Sequence, residues 1–235
     1  MEMVFDLKGK VARKVAKFQE MKKQRGVTLL EIIIVLGIIG IIAAGVVILA
    51  NRAFTAQDLS DIQDNLTSVR TAMTETYKDE GVYPDGSTVV GLTKSTIASS
   101  SKTAPIITLV RLGKISPDEA FNGVSNDAFY ISSGATDASS ASTGKGFTIT
   151  VNGLDPEDCR NLISQSGNQW DYVATISKAP AGKDPAVAAK LPLYTTKGTT
   201  ILKSLTSTDI VAADITASTV CVDSGSTNGV VFGSK

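Results

Sequence analysis

No histidine occurs among the 235 residues. That absence removes the commonest general base, the Ser-His and Cys-His nucleophile arrangements, and most transition-metal sites. Cysteine is nearly as scarce, and Cys159 and Cys221 fit no metal-ligand spacing. No carboxylate pair has a recognisable catalytic context, and neither Gly-rich loop carries a phosphate-binding spacing tied to a strand and a helix. Carboxylate chemistry is not excluded by these absences, but the expectation is a chain with no cofactor, no metal and no catalytic residues. Proline is missing from Val27 to Glu80, so no residue of that kind breaks or kinks a helix there.

Net charge is also missing, but only in sum. Residues 1 to 26 hold eight Lys/Arg against three Asp/Glu, a balance of +5, and residues 27 to 235 hold fifteen against twenty, or −5. The basic part abuts an apolar run and contains only Phe5 and Phe18 as aromatics, so it reads as a cytoplasmic flank and not as a nucleic-acid arm. Val4, Phe5, Leu7, Val11, Val15 and Phe18 are spaced for a short amphipathic helix on the inner membrane surface. A basic leader without fixed structure is the alternative.

What the sequence has in quantity is apolar length. Val27 to Ala50 spans 24 residues with Glu31 as the only charge. As an α-helix it would reach about 36 Å, enough for a hydrocarbon core of roughly 30 Å. Lys22, Lys23 and Arg25 before it should hold the N-terminal side in the cytoplasm. A cleaved secretory signal should have a shorter apolar core and end in a small-x-small site, and "ILAN" is a poor one. A plain single-pass anchor leaves Glu31 unexplained, although an acidic residue in a spanning helix costs up to about 3 kcal/mol. A third reading is a helix cut between Gly26 and Val27 and then packed against copies of itself. The new α-amino group of one copy and Glu31 of the next would neutralise each other and set the register between helices. Gly37, Gly40 and Ala44 form a small-residue face where such helices could approach closely; ordinary transmembrane composition also supplies such residues.

Past Ala50 the pattern changes without a break. Leu59, Ile62, Leu66, Val69, Met73 and Tyr77 fall three or four residues apart, a single apolar stripe on a helix that continues to Glu80, with Gly81 as its cap. Residues 82 to 145, rich in Ser, Thr and Gly, read as loops around one helix near Ala104 to Leu112, closed by Gly113. Ser116 and Pro117 open a helical turn. Phe147, Ile149 and Val151 alternate with Thr148 and Thr150 as a half-buried strand. A helix capped by Asp155 follows, from Pro156 to Gly167, and "QWDYVATIS" and "GVVFG" alternate again as strands. Trp170 is read as core. Strands in an antiparallel meander with helices on one face make an α+β head. In a domain exported past the membrane the even cysteine pair is most simply a disulfide, and two buried free thiols are the alternative.

The run "RGVTLLEIIIVLGIIGIIAAGVVILA" resembles the class III signal of type IV pilins: basic residues, Gly, a hydrophobic first mature residue, and Glu at the fifth position. The leader of 26 residues, Val in place of Phe after the cut, "LGKISPDEA", "NGL…C" and the late cysteine look like the type IVb branch, in particular the toxin-coregulated, longus and colonisation-factor pilins of enteric pathogens. The resemblance implies a type IV pilin fold, with a long N-terminal helix packed on an antiparallel sheet. It implies a leader (1–26) removed by a prepilin peptidase that also N-methylates Val27. It divides the rest into a membrane and filament-core half-helix (27–50), an amphipathic half-helix (51–80) and a head (81–235) with a disulfide-bounded region between Cys159 and Cys221. Partners implied are further copies of the chain, inner-membrane assembly machinery, the membrane before assembly, and an unidentified host or bacterial surface ligand. A minor pilin, a secretion-system pseudopilin and, from a different class, a membrane-tethered ectodomain are the competing readings. Low abundance in filaments would mark the first, a short leader without the cysteine pair the second, and a retained leader the third.

Overall fold

The computed structural model describes residues 28–140, 144–207 and 209–235. The leader, its expected amphipathic helix, Gly26 and Val27 lie outside the described residues. The chain forms two compact units that divide between Arg52 and Ala53.

Helix α1 runs Leu29–Tyr77, close to the expected limits. In the larger unit its stripe Leu59, Ile62, Leu66, Val69, Met73 and Tyr77 is buried, joined by Ala72. Side chains three and four apart share one helical face, and that face closes the core of the head. Beyond α1 the chain turns through Gly81 at φ 68°, a left-handed position that suits a residue without Cβ. Arg70 fastens the outer edge of α1. Its guanidinium lies 4.9 Å from the centre of the Trp170 ring and donates to Gln169 O at 2.7 Å and Ser234 Oγ at 3.1 Å. Trp170 is buried, as its sequence context suggests.

The head contains α2 (Pro105–Arg111), β1 (Tyr130–Ala135), β2 (Gly146–Leu154), α3 (Pro156–Ser166), β3 (Tyr172–Ile176), β4 (Leu191–Pro192), β5 (Ile201–Lys203), α4 (Ala212–Ile215) and β6 (Asn228–Ser234). Local chemistry sets the boundaries. Asp155 Oδ1 accepts from Asp158 N at 2.8 Å to cap α3, with Pro156 in the first position. Ser116 and Glu119 cap each other's backbone N–H reciprocally across the turn that "SPDE" encodes.

The six strands form one sheet in the order β4-β1-β2-β6-β3-β5. Every pair is antiparallel except β1 with the two-residue β4. This is not the meander that the sequence pattern suggests. Both β2 and β3 run antiparallel to β6, so they point the same way, and strands so related need a crossover. Helix α3 is that crossover, and the C-terminal strand fills the slot between them.

Alternation in β2 predicts one buried face; all nine of its residues are buried. Phe147, Ile149 and Val151 join the α1 side. The opposite face is covered by the chain around Leu193, which packs with Tyr172, Ala174 and Val231. Three glycines on three strands make room for Leu193. A Cβ at Gly134 or Gly146 would lie 2.9 Å from its Cδ1, and one at Gly233 would lie 3.0 Å from its Cδ2. Strand β1 falls in the Ser/Thr-rich stretch read as loop. Its Ser132 and Ser133 are buried through hydrogen bonds: Gly86 N donates to Ser132 Oγ at 3.1 Å and Lys190 N to Ser133 Oγ at 3.0 Å.

Cys159 of α3 and Cys221 on the approach to β6 are joined in a disulfide, and both are buried. Closing a loop with a sequence separation of 62 removes chain entropy worth roughly 4 kcal/mol from the unfolded state. Cys159→Ser combined with Cys221→Ser should lower the melting temperature of the head by about 10 °C. Calorimetry of variant and parent checks this; an unchanged transition would mean that the bridge contributes nothing to stability.

Candidate functional site

Two regions carry the residues singled out above, the start of α1 and the segment closed by the disulfide. Helix α1 begins at Thr28, whose hydroxyl accepts from Glu31 N at 3.2 Å while its carbonyl accepts from Ile32 N at 3.2 Å. That is the backbone half of a Thr-x-x-Glu capping box, with Glu31 at the third helical position. The sequence reading passes over Thr28, although the spacing signals its role. Glu31 is exposed, next to the positive end of the helix where a carboxylate is favoured.

From Leu29 to Leu49 every large apolar side chain is at least 48% exposed, and no part of the 18-residue apolar window is buried. Helix α1 is long and apolar enough there to cross a membrane. Gly37 and Gly40 lie on open surface, since a Cβ added at either would meet nothing within 4 Å, and Ala44 is exposed. Among the described residues nothing fills this small-residue face.

The disulfide-bounded segment is tied to itself by polar clamps. Asn168 Nδ2 donates to Ile210 O at 3.1 Å, and Ile210 N returns a bond to Asn168 Oδ1 at 2.8 Å. Lys197 Nζ meets Asp214 Oδ2 at 2.5 Å, and this hydrogen bond holds the Asp214 carboxyl below its usual range. Arg160, beside Cys159, donates to Val220 O at 3.3 Å, beside Cys221. Among the described residues no group of three or more His, Cys, Asp or Glu could hold a metal ion.

Asp158, the neighbour of Cys159, is only 8% exposed. Burial pushes its carboxyl up to about 6, helped by the negative charges of Asp155 and Glu157 on α3 and Asp58 on α1. Burial, with those repulsions added, outweighs the favourable field of the α3 N-terminus.

Comparison with known proteins covers both regions. Residues 21–47 match the prokaryotic N-terminal methylation motif, and residues 108–222 match the family of the toxin-coregulated pilus subunit TcpA. The chain is 39% identical over 173 residues to a toxin coregulated pilin of Vibrio cholerae, spanning 72% of this chain and 70% of that one. A toxin coregulated pilin from Vibrio cholerae serotype O1 is 38% identical over 169 residues, spanning 71% and 70%. The crystal structure of TcpA, a type IV pilin from the El Tor biotype of Vibrio cholerae, superposes with a TM-score of 0.55 at 26% identity. The match covers 76% of this chain and 99% of that one.

The raised Asp158 carboxyl makes stability depend on pH. The folded form takes up a proton near pH 6, whereas the unfolded chain waits until about 3.8, so folding is favoured as pH falls through that window. The gain is complete below about 3.8 and lost as pH rises through 6. Screening by nearby solvent keeps it on the order of 1 kcal/mol. Asp158→Asn should raise the melting temperature at pH 7.5 by a few degrees and flatten its rise between pH 7.5 and 5. Equal pH profiles for variant and parent would contradict the assignment.

Proposed function

The chain belongs to the toxin-coregulated pilus subunit family, and from that premise we propose a division of labour along it. It is a structural subunit of a type IVb pilus that serves colonisation, not an enzyme, and it passes through a membrane-anchored precursor on the way to the surface pilus. Residues 1–26 form the cytoplasmic leader. Prepilin peptidase cuts after Gly26 and the new N-terminus at Val27 is methylated. Residues 27–50 span the inner membrane with the N-terminus inside, and later form the filament core. Residues 51–80 carry the stripe that holds the head, and residues 81–235 are displayed outside. Inner-membrane assembly machinery supplies the energy for extraction, because the chain carries no nucleotide-binding motif of its own.

The observation that carries this reading is the exposed apolar half of α1 with one carboxylate at its first turn. Lipid tails are as apolar as the helix, so apolar burial alone gives no preference for the filament. Close packing at Gly37, Gly40 and Ala44, and pairing of Glu31 with the α-amino group of a neighbouring Val27, supply that preference. Thr28 supports the pair by fixing where the helix starts, which sets the distance between the carboxylate and the neighbouring terminus.

Loss of one partner from a buried ion pair costs about 3 to 5 kcal/mol. Glu31→Ala should insert into the membrane at the parent level while filament yield falls by about a hundredfold or more. Sheared filaments and membrane fractions, quantified by immunoblot, check both. Normal filaments from this variant would contradict the charge-pair account.

A further inference from the structure

Where β3 ends, the chain passes Ser177 and reaches Lys178, whose φ is 56°. A non-glycine residue in that conformation costs on the order of 1 kcal/mol and persists only where its surroundings hold it. Here Lys178 N donates to Asp223 Oδ2 at 2.7 Å, and the next residue, Ala179, donates to Thr227 O at 2.7 Å. The opposing turn is equally fixed. Thr227 Oγ1 donates to Asp223 Oδ2 at 3.0 Å, and Asp223 N donates to Asn228 Oδ1 at 3.0 Å. Asn228, buried at 1% exposure, donates in turn to the carbonyls of Leu154, Asp223 and Gly225.

Between the two turns lies an open depression of about 480 Å³, lined by Lys178, Lys183, Asp223, Ser224 and Thr227 among others. That volume is within the range of ligand sites, roughly 300 to 1,000 Å³, and the lining mixes polar and apolar surface, with Pro180 and Gly225 beside the charged and hydroxyl groups and no aromatic ring. Two neighbouring carboxylates are held in place by N–H donors, keep their charge, and are turned to these donors. Asp184 Oδ1 accepts from Val89 N at 2.8 Å, and Asp127 Oδ2 accepts from Asn152 Nδ2 at 2.7 Å and Gly182 N at 2.8 Å. Among the described residues neither Lys178 nor Lys183 is in an ion pair, and both are exposed. The lining thus offers two ammonium groups, two hydroxyls and one fixed carboxylate, Asp223.

We infer that this depression binds an acidic monosaccharide, whose carboxylate lies between Lys178 and Lys183 and whose hydroxyls meet Asp223, Ser224 and Thr227. An acid gains charge-assisted hydrogen bonds to ammonium groups that a neutral sugar leaves to water, and a bare anion would leave the rigid hydroxyl and carboxylate wall unused. The inference goes beyond the structural role of the chain and rests on the head being displayed on a filament. It identifies one chemistry for a surface ligand.

Saturation-transfer NMR on purified filaments, with N-acetylneuraminic acid and glucuronic acid as probes, tests it. N-acetylglucosamine serves as the neutral control and sulfate as the bare anion. At least one acid should give transfer, N-acetylglucosamine should not, and sulfate should compete only weakly. Lys178→Gln and Lys183→Gln should each weaken binding about tenfold or more, with Lys183→Arg retaining most of it. No transfer to either acid, unchanged binding by both glutamine variants, or displacement by sulfate as effective as by sugar would overturn the proposal. Electron microscopy of the same preparations reads assembly separately. If filaments fail to form, the titration is run on the full-length chain in detergent, so a failure of the pilus reading is distinguished from a failure of the site.

Discussion

Among the described residues nothing covers the apolar surface of α1 between Leu29 and Leu49, and the rest of the molecule is organised around that fact. Leaving such side chains in water would cost on the order of 20 kcal/mol. The segment must therefore always be in lipid or against other helices. A precursor anchored in a membrane and a subunit buried in a filament are the two environments that satisfy it. Passing from one to the other needs interactions that lipid does not offer, and we propose that the small residues and the single carboxylate of this half-helix supply them.

The second half of α1 has the opposite requirement. Its one stripe, from Leu59 to Tyr77, is completely used by the head, and Arg70 ties the same helix to the C-terminal strand. The head is closed in sequence as well as in space. Strand β6, the last element, is laid between β2 and β3, and the Cys159–Cys221 bridge joins the crossover helix to the approach to that strand. The segment between the cysteines carries β3, β4 and β5, so the bridge closes a stretch that supplies strands to the sheet as well as loops. Its clamps, Asn168 to Ile210 and Lys197 to Asp214, are polar and local.

Much of this was legible in the residues. The spacing of the α1 stripe, the cap at Asp155, and the alternation in β2, β3 and β6 all correspond to elements in the structure, and Ser116 opens a turn as its context suggests. What escaped had no periodic apolar signal. Strand β1, "YISSGA", is buried by hydrogen bonds to serine hydroxyls, and β4 and β5 are only two and three residues long. Burial of both sheet faces was hidden because Leu193 covers the outer one by resting on glycines, which carry no hydrophobic pattern. The position of β6 depends on tertiary pairing that local pattern does not encode. At the site, Glu31 and the small residues stood out by composition, whereas Thr28 required reading its spacing to Glu31.

The central claim is that α1 reaches the filament only as a processed chain with a free, methylated terminus opposite Glu31. The intact mass and N-terminal sequence of the protein recovered from sheared filaments test this most directly. The account predicts a chain that starts at N-methylated Val27, with both cysteine thiol hydrogens absent. Filaments built from chains that still carry residues 1 to 26 would contradict it, because no α-amino group would then stand beside the apolar helix to meet the carboxylate.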